Sequence, residues 1–318
     1  MGRILVTHLL PEGGTDPLSQ AGHELVDGFG DAPCSASDLA ALAPQFDAIV
    51  CLLTDPINSE VLVSGASGRL KVVGNVAVGY NNIDVETANR LGIAVCNTPG
   101  VLDETTADLA FLLVLSASRL ASDASRDLLA GRWQGWGINQ YLGRDVHGSV
   151  LGLVGFGRIG RAMERRARGF AMTVLHHSRH TTGAPGYVAD LDDLMKASDV
   201  VSLHVPLTDE TRHMIGGRQL RLLGRDGVLV NTSRGPVVDE AALAEALADG
   251  TIFAAGLDVY EEEPKIHPAL LDAPRAVLLP HIGSATRATR TRMARLACEG
   301  VCQVLAGSEP ENLVRLDA

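Results

Sequence analysis

Short apolar runs of strand length recur along the chain, separated by stretches whose apolar positions follow a helical period. In the N-terminal third, runs at 4–7, 48–53, 72–76 and 93–96 predict strands, and stretches 37–43 and 84–91 predict helices. That β–α alternation implies a parallel sheet, because parallel neighbours need a crossover long enough to hold a helix. Asn97-Thr98-Pro99-Gly100 then breaks the pattern and suits a hinge. A helix is predicted next, with Asp103 as N-cap. Residues 107–115 are almost wholly apolar, so it should be buried on most sides.

Residues 131–148 carry five glycines and both tryptophans, Trp133 and Trp136, without a regular period. Two tryptophans on an arm predict either a subunit interface or a cap over the domain's own core. From Val150 a second β–α series begins, with runs at 150–154, 173–175, 200–205, 228–230, 254–259 and 277–279. Helical patterns at 159–168 and 239–247 lie between them, and one at 285–305 ends the series.

Length and composition refine this picture. A chain of 318 residues exceeds what one core comfortably fills, so two domains are expected. Hydrophobic residues at 46%, with 34 glycines and 14 prolines, suit an α/β protein with many strand–helix turns. The net charge of −11 argues against nucleic acid or an anionic membrane as partner, since an acidic surface repels polyanions. A small anionic ligand must then be held by a few placed arginines. The five cysteines (Cys34, Cys51, Cys96, Cys298, Cys302) are scattered, with no C-x-x-C pair, and predict free thiols in the cytoplasm and no metal site. The first apolar run is too short for a signal peptide, and the longest, near 109–115, is far below membrane-spanning length.

The sharpest motif is Gly155-Phe156-Gly157-Arg158-Ile159-Gly160, placed directly after an apolar strand and before a helix. In that setting the first glycine allows a tight turn and the second lets a pyrophosphate approach the backbone. The third lets helix and strand pack closely, and the helix N-terminus offers N–H groups to the anion. The spacing alone is weak, but at the head of a β–α series it predicts a dinucleotide site. No acid occurs between Glu164 and Asp190, where NAD enzymes place the carboxylate that holds the ribose 2′-hydroxyl. Ser178 and Arg179 stand there instead and suit a 2′-phosphate. NADP is therefore preferred over NAD, which an arginine there also tolerates; the bland reading is that Arg179 merely solvates a loop.

Three polar groups follow strands of this series, where ligands bind in an open parallel sheet. Arg234 follows the run at 228–230, Glu263 the run at 254–259, and His281 the run at 277–279. Reduction of a keto acid needs a cation for its carboxylate, a proton donor at its carbonyl oxygen, and a group that keeps the donor charged. Arg234, His281 and Glu263 match those needs in turn. Singly each is weak evidence, and Glu263 lies in an acidic run. Their convergence on one sheet edge carries the prediction.

The chain resembles the D-isomer-specific 2-hydroxyacid dehydrogenases, most closely the glyoxylate/hydroxypyruvate reductase branch. The resemblance covers nearly the whole chain and rests on five ordered blocks: Asn75-Val-Ala-Val-Gly-Tyr-Asn-Asn-Ile-Asp84, the glycine motif, Asn231-Thr-Ser-Arg-Gly-Pro-Val-Val-Asp239, Gly256-Leu-Asp-Val-Tyr-Glu-Glu-Glu-Pro264, and Pro280-His-Ile-Gly-Ser-Ala-Thr286. It implies an Arg–Glu–His triad at Arg234, Glu263 and His281, with Val78 and Gly79 giving backbone N–H groups to the substrate carboxylate. It further implies that Asp258 holds the nicotinamide carboxamide and that Thr106, Val205, Pro206, Thr232, Ser233 and Gly283 lie around the cofactor. The implied fold is α/β: a doubly wound (Rossmann) cofactor domain, 99–285, inserted in a smaller flavodoxin-like substrate domain, 1–98 and 286–318. A homodimer through an arm near 116–148 is also implied, with Trp136 reaching the neighbour's site. The implied activity is reduction of small 2-keto acids to D-2-hydroxy acids. A phenylpyruvate, pyruvate, phosphoglycerate or phosphite preference is an alternative that Leu53, Thr54 and Tyr80 do not decide, and a non-catalytic dinucleotide sensor is a second, disfavoured by the compact chain and its intact triad.

Overall fold

The computed structural model describes residues 1–181 and 183–315. The chain divides into two units, Met1–Leu102 with the segment from Ser284 onward, and Asp103–Gly283. The borders expected at 98/99 and 285/286 compare with divisions at 102/103 and 283/284. Residues 316–318 of the expected substrate domain lie outside the described residues.

In the first unit, β1 (Arg3–Val6), β2 (Glu24–Asp27), β3 (Ala48–Cys51), β4 (Val72–Asn75) and β5 (Ala94–Cys96) form one parallel sheet. Its order, β2-β1-β3-β4-β5, is that of the flavodoxin-like fold. Strands β3 and β4 are buried at every position. Covered on both faces, they read as continuous apolar runs rather than alternating ones. Strand β2 escaped the sequence pattern because it is an edge strand, Glu-Leu-Val-Asp, with only two apolar residues and both ends exposed. Helix Arg287–Leu305 returns to this unit, started by the Thr286 hydroxyl accepting from Thr289 N–H at 3.2 Å.

The second unit holds β6 (Val150–Val154), β7 (Thr173–His177), β8 (Val200–Leu203), β9 (Val228–Asn231), β10 (Ala254–Leu257) and β11 (Ala276–Leu278), ordered β11-β10-β9-β8-β6-β7, all parallel. A single parallel bridge, His176 to Tyr187, lies beyond β7. With that bridge as the third strand, the order begins third, second, first, fourth, as in the doubly wound dinucleotide fold. The change of direction falls between β6 and β8, so the loop after β6 opens at the switch point. Helix Asp103–Ser118 buries Ala107, Ala110, Phe111, Leu113, Val114 and Ala117 in this unit's core. Asp103 is its first residue, not the N-cap before it.

Several predicted strands overshot at their carboxyl ends. The runs at 48–53, 200–205 and 254–259 end their ladders at Cys51, Leu203 and Leu257. Apolar pattern reports burial, whereas the ladder stops where the chain turns into a loop. Trp133 and Trp136 are 50% and 81% exposed, so they do not cap the unit's own core. Among the described residues, no helix is long and apolar enough to cross a membrane.

Candidate active site

The loop after β6 is built around three glycines with three different constraints. Gly155 has φ +96°, and a Cβ there would sit 2.6 Å from the His204 carbonyl oxygen, so no other residue fits. A Cβ on Gly160 would sit 2.4 Å from the Gly155 oxygen, which lets helix Arg158–Gly169 rest on the turn. Gly157 has nothing within 4 Å of a Cβ. That clear space before a twelve-residue helix is what a pyrophosphate needs. Phe156 and Ile159 pack inward. The Phe156 ring stacks on His176 at 3.8 Å, so contacts of these residues with a ligand fall to their backbone. Arg158 pairs with Asp103 at 3.5 Å.

Beyond β7, the Ser178 hydroxyl donates to the His180 carbonyl at 2.7 Å, while Arg179 is exposed. Val205 and Pro206 follow β8, and the Pro206 carbonyl accepts from the Thr211 hydroxyl at 2.7 Å. Val205 is half-buried.

Arg234 is carried by a turn that Asn231 folds. The Asn231 side-chain oxygen accepts from Ser233 N–H at 3.0 Å and from its hydroxyl at 2.8 Å, and its amide donates to the Arg234 carbonyl at 2.9 Å. Thr232 keeps a buried hydroxyl without a partner among the described residues, which fits a polar ligand group against this turn. The Arg234 guanidinium donates to the Ser233 carbonyl at 2.7 Å. Burial lowers its hold on its proton, and the nearby Glu263 charge opposes that effect.

Glu263 accepts from Tyr260 N–H at 3.0 Å through one oxygen and meets His281 Nδ1 at 2.7 Å through the other. Burial pushes its carboxyl up, but the His281 hydrogen bond and charge, Tyr260 N–H and Arg234 together hold it below the usual carboxylate range. Facing a carboxylate, Nδ1 carries a hydrogen. His281 Nε2 has no partner among the described residues, so it is the ring atom left to meet a ligand. The backbone of His281 is left-handed, φ +54°. The next two N–H groups, of Ile282 and Gly283, each donate to Asp258 at 2.7 Å. Asp258 is 1% exposed, and its burial raises its carboxyl despite those two donors. Thr106 is buried beside Gly283.

In the first unit, Val78 and Gly79 follow β4 and are half-buried. Their N–H groups meet no acceptor among the described residues. The same unit holds a cluster of metal-ligating side chains, His8, Cys34 and Asp55. Its atoms already satisfy one another. Asp55 meets His8 at 2.7 Å and accepts from Cys34 at 3.1 Å, and burial together with Asp55 pushes the Cys34 thiol up to about 12. The sequence pattern singled out neither Asn231 nor the buried Glu240, which anchors the Glu263 loop. A polar residue at the buried end of an apolar strand was the available signal for Asn231.

A family model described as D-isomer specific 2-hydroxyacid dehydrogenase, NAD binding domain, matches residues 111–283. The glyoxylate reductase of Korarchaeum cryptofilum is 46% identical, over 98% of this chain and 95% of its own. The crystal structure of a Thermus thermophilus protein, TT0316, has a TM-score of 0.93 and 40% identity, over 98% of this chain and all (100%) of its own. An NADPH-dependent glyoxylate/hydroxypyruvate reductase from Sinorhizobium meliloti, solved with NADP and malonate, has a TM-score of 0.87 and 34% identity over 99% of both chains. Likeness of this extent, in sequence as well as fold, makes the chain a member of the D-isomer-specific 2-hydroxyacid dehydrogenases, enzymes that work with a nicotinamide dinucleotide.

Proposed function

We propose that this enzyme reduces small 2-keto acids of the glyoxylate and hydroxypyruvate type to D-2-hydroxy acids. The observation that carries the proposal is the His281–Glu263 bond of 2.7 Å, with Nε2 unpartnered, in the same strand-end loops as Arg234. Relatives named glyoxylate reductase support the substrate class.

A nicotinamide dinucleotide, when bound, would supply the hydride. The glycine loop and the helix N-terminus at Arg158 would hold its pyrophosphate, and Thr232, Ser233, Asp258 and Thr106 would line the rest of the site. Arg234 holds the keto acid's carboxylate and polarises its carbonyl. The Val78 and Gly79 N–H groups are two further donors suited to a carboxylate. His281 Nε2–H gives its proton to the carbonyl oxygen as hydride arrives at the carbon, and Glu263 stabilises the charged ring until that transfer. In oxidation the neutral ring takes the hydroxyl proton back.

NADPH is the preferred reductant. No carboxylate stands between Glu164 and Asp190, and exposed Arg179 follows β7 where a 2′-phosphate would lie. The working form is a homodimer through the arm, where Leu129, Trp133, Trp136, Ile138 and Leu142 are all exposed. Covering these indoles would take apolar surface out of water and so favour association. The five free thiols fit a reducing cytoplasm.

The test is loss of reduced-nicotinamide absorbance with glyoxylate, hydroxypyruvate, pyruvate and phenylpyruvate, each with NADH and NADPH. The two small hydroxy or aldehyde acids should turn over fastest. Faster turnover of phenylpyruvate would reassign the substrate, and no turnover with any would leave a dinucleotide sensor.

A further inference from the structure

We propose that Asn97 is a positioning residue that aims the substrate-carboxylate donors at Val78–Gly79, with Asn75 bracing the adjoining peptide; this rests on the role of that turn in the proposed function. After β4 the chain runs through Val76 to Tyr80, and three successive carbonyls there are each captured. Ala77 O accepts from Thr98 N–H at 2.9 Å, Val78 O from the Asn97 amide at 2.7 Å, and Gly79 O from the Asn75 amide at 3.0 Å.

A peptide unit is planar and trans, so each carbonyl points opposite to the N–H of the following residue. Holding Ala77 O therefore aims Val78 N–H, holding Val78 O aims Gly79 N–H, and holding Gly79 O aims Tyr80 N–H. The two N–H groups assigned to the carboxylate are thus set from behind, one by Thr98 and one by Asn97. Asn75 fixes the peptide next to them. Without those anchors each plane could rotate, and a donor turned away by a large angle contributes little to an anion.

Each asparagine is itself held. Asn97 N–H donates to Asn312 O at 3.1 Å, and the Asn312 amide donates to Asn97 O at 2.8 Å. Asn75 is fully buried (0% exposed), and its side-chain oxygen accepts from Asn82 at 3.4 Å and from the Cys51 thiol at 3.6 Å. The chemistry demands an amide. A carbonyl offers only acceptors, so an aspartate at 97 would set oxygen against oxygen at the same distance.

The experiment compares wild type, Asn97→Ala and the isosteric Asn97→Asp by steady-state kinetics with glyoxylate, by NADPH binding followed through fluorescence, and by oxalate binding to the NADPH complex. Oxalate carries the carboxylate but accepts no hydride, so it reads anion affinity without turnover. The expected result is a rise of about ten- to hundredfold in KM and in the oxalate dissociation constant for Asn97→Ala, larger for Asn97→Asp. Turnover at saturation and NADPH affinity should stay within about threefold of wild type. Unchanged oxalate affinity, an equal loss of NADPH affinity, or loss of the fold in both variants overturns the proposal. A wild type that binds oxalate but reduces no keto acid sinks the proposed activity instead, and the variants' oxalate affinities still decide the positioning role.

Discussion

Glu240 and Glu261 hold one another's backbone. Glu240 N–H donates to a Glu261 carboxylate oxygen at 2.7 Å, and Glu261 N–H donates to a Glu240 carboxylate oxygen at 2.5 Å. The second oxygen of Glu240 accepts from His267 N–H at 3.1 Å, and His213 meets Glu261 at 3.1 Å. The loop from 261 to 267 is thereby clipped to the start of helix Glu240–Ala248, and Glu263 stands inside that clip. Replacing Glu240 by Ala leaves the half-buried N–H groups of Glu261 and His267 without this acceptor and frees the loop. A fall in kcat of about tenfold or more is expected, with NADPH affinity kept and partial recovery in Glu240→Gln. Equal kinetics in the alanine variant would show that the loop keeps its shape without the clip.

His281→Ala should lower kcat by about 10²–10⁴-fold, the usual worth of a general acid, and leave NADPH binding almost unchanged. Pre-steady-state mixing separates the two readouts. If cofactor affinity falls as far as turnover, the imidazole is part of the framework and not the proton donor.

Glu263 gives a pH signature. Its folded carboxyl lies below the usual carboxylate value of about 4.3, because burial, which raises it, is outweighed by His281, Tyr260 N–H and Arg234. Folding thus favours the ionised form. The stabilisation is complete above about pH 5 and is lost as pH falls through the depressed folded value. The urea midpoint of wild type should accordingly drop more steeply between about pH 5 and 3 than that of Glu263→Gln. Parallel profiles would mean that the pair adds nothing to stability.

Exchanging Arg179 for Asp should move the ratio of kcat/KM for NADPH over NADH toward NADH by at least about tenfold. The substitution removes a phosphate cation and supplies a ribose acceptor. A ratio that does not move takes Arg179 out of cofactor discrimination.

Trp136→Glu should shift the enzyme from dimer to monomer in light scattering at micromolar concentration, since a carboxylate would replace an indole that is 81% exposed on the lone subunit. An unaltered mass would place the subunit contact elsewhere.

The sequence made the central strands and the strand-end chemistry legible for a single reason. Parallel strands buried on both faces appear as apolar runs, and a polar residue just past such a run stands out. Arg234, Glu263 and His281 were visible in that way, as was the glycine loop, where each glycine answers a separate steric demand. Hidden from view were contacts made across long separations by residues of ordinary type. Asn231 reads as the end of a strand and Glu240 as an acid in a first helical turn. Asp258 was expected to face the nicotinamide. What the structure shows is that both of its oxygens meet backbone N–H groups at 282 and 283, 24 and 25 positions further on. Nothing in the local pattern of 256–260 encodes that pairing.

If Asn97 sets the carboxylate donors, its mutual hydrogen bonds with Asn312 would extend that role to the segment around Asn312. A protein shortened before Pro310 would keep every residue of its nucleotide-holding unit and still grasp acids poorly.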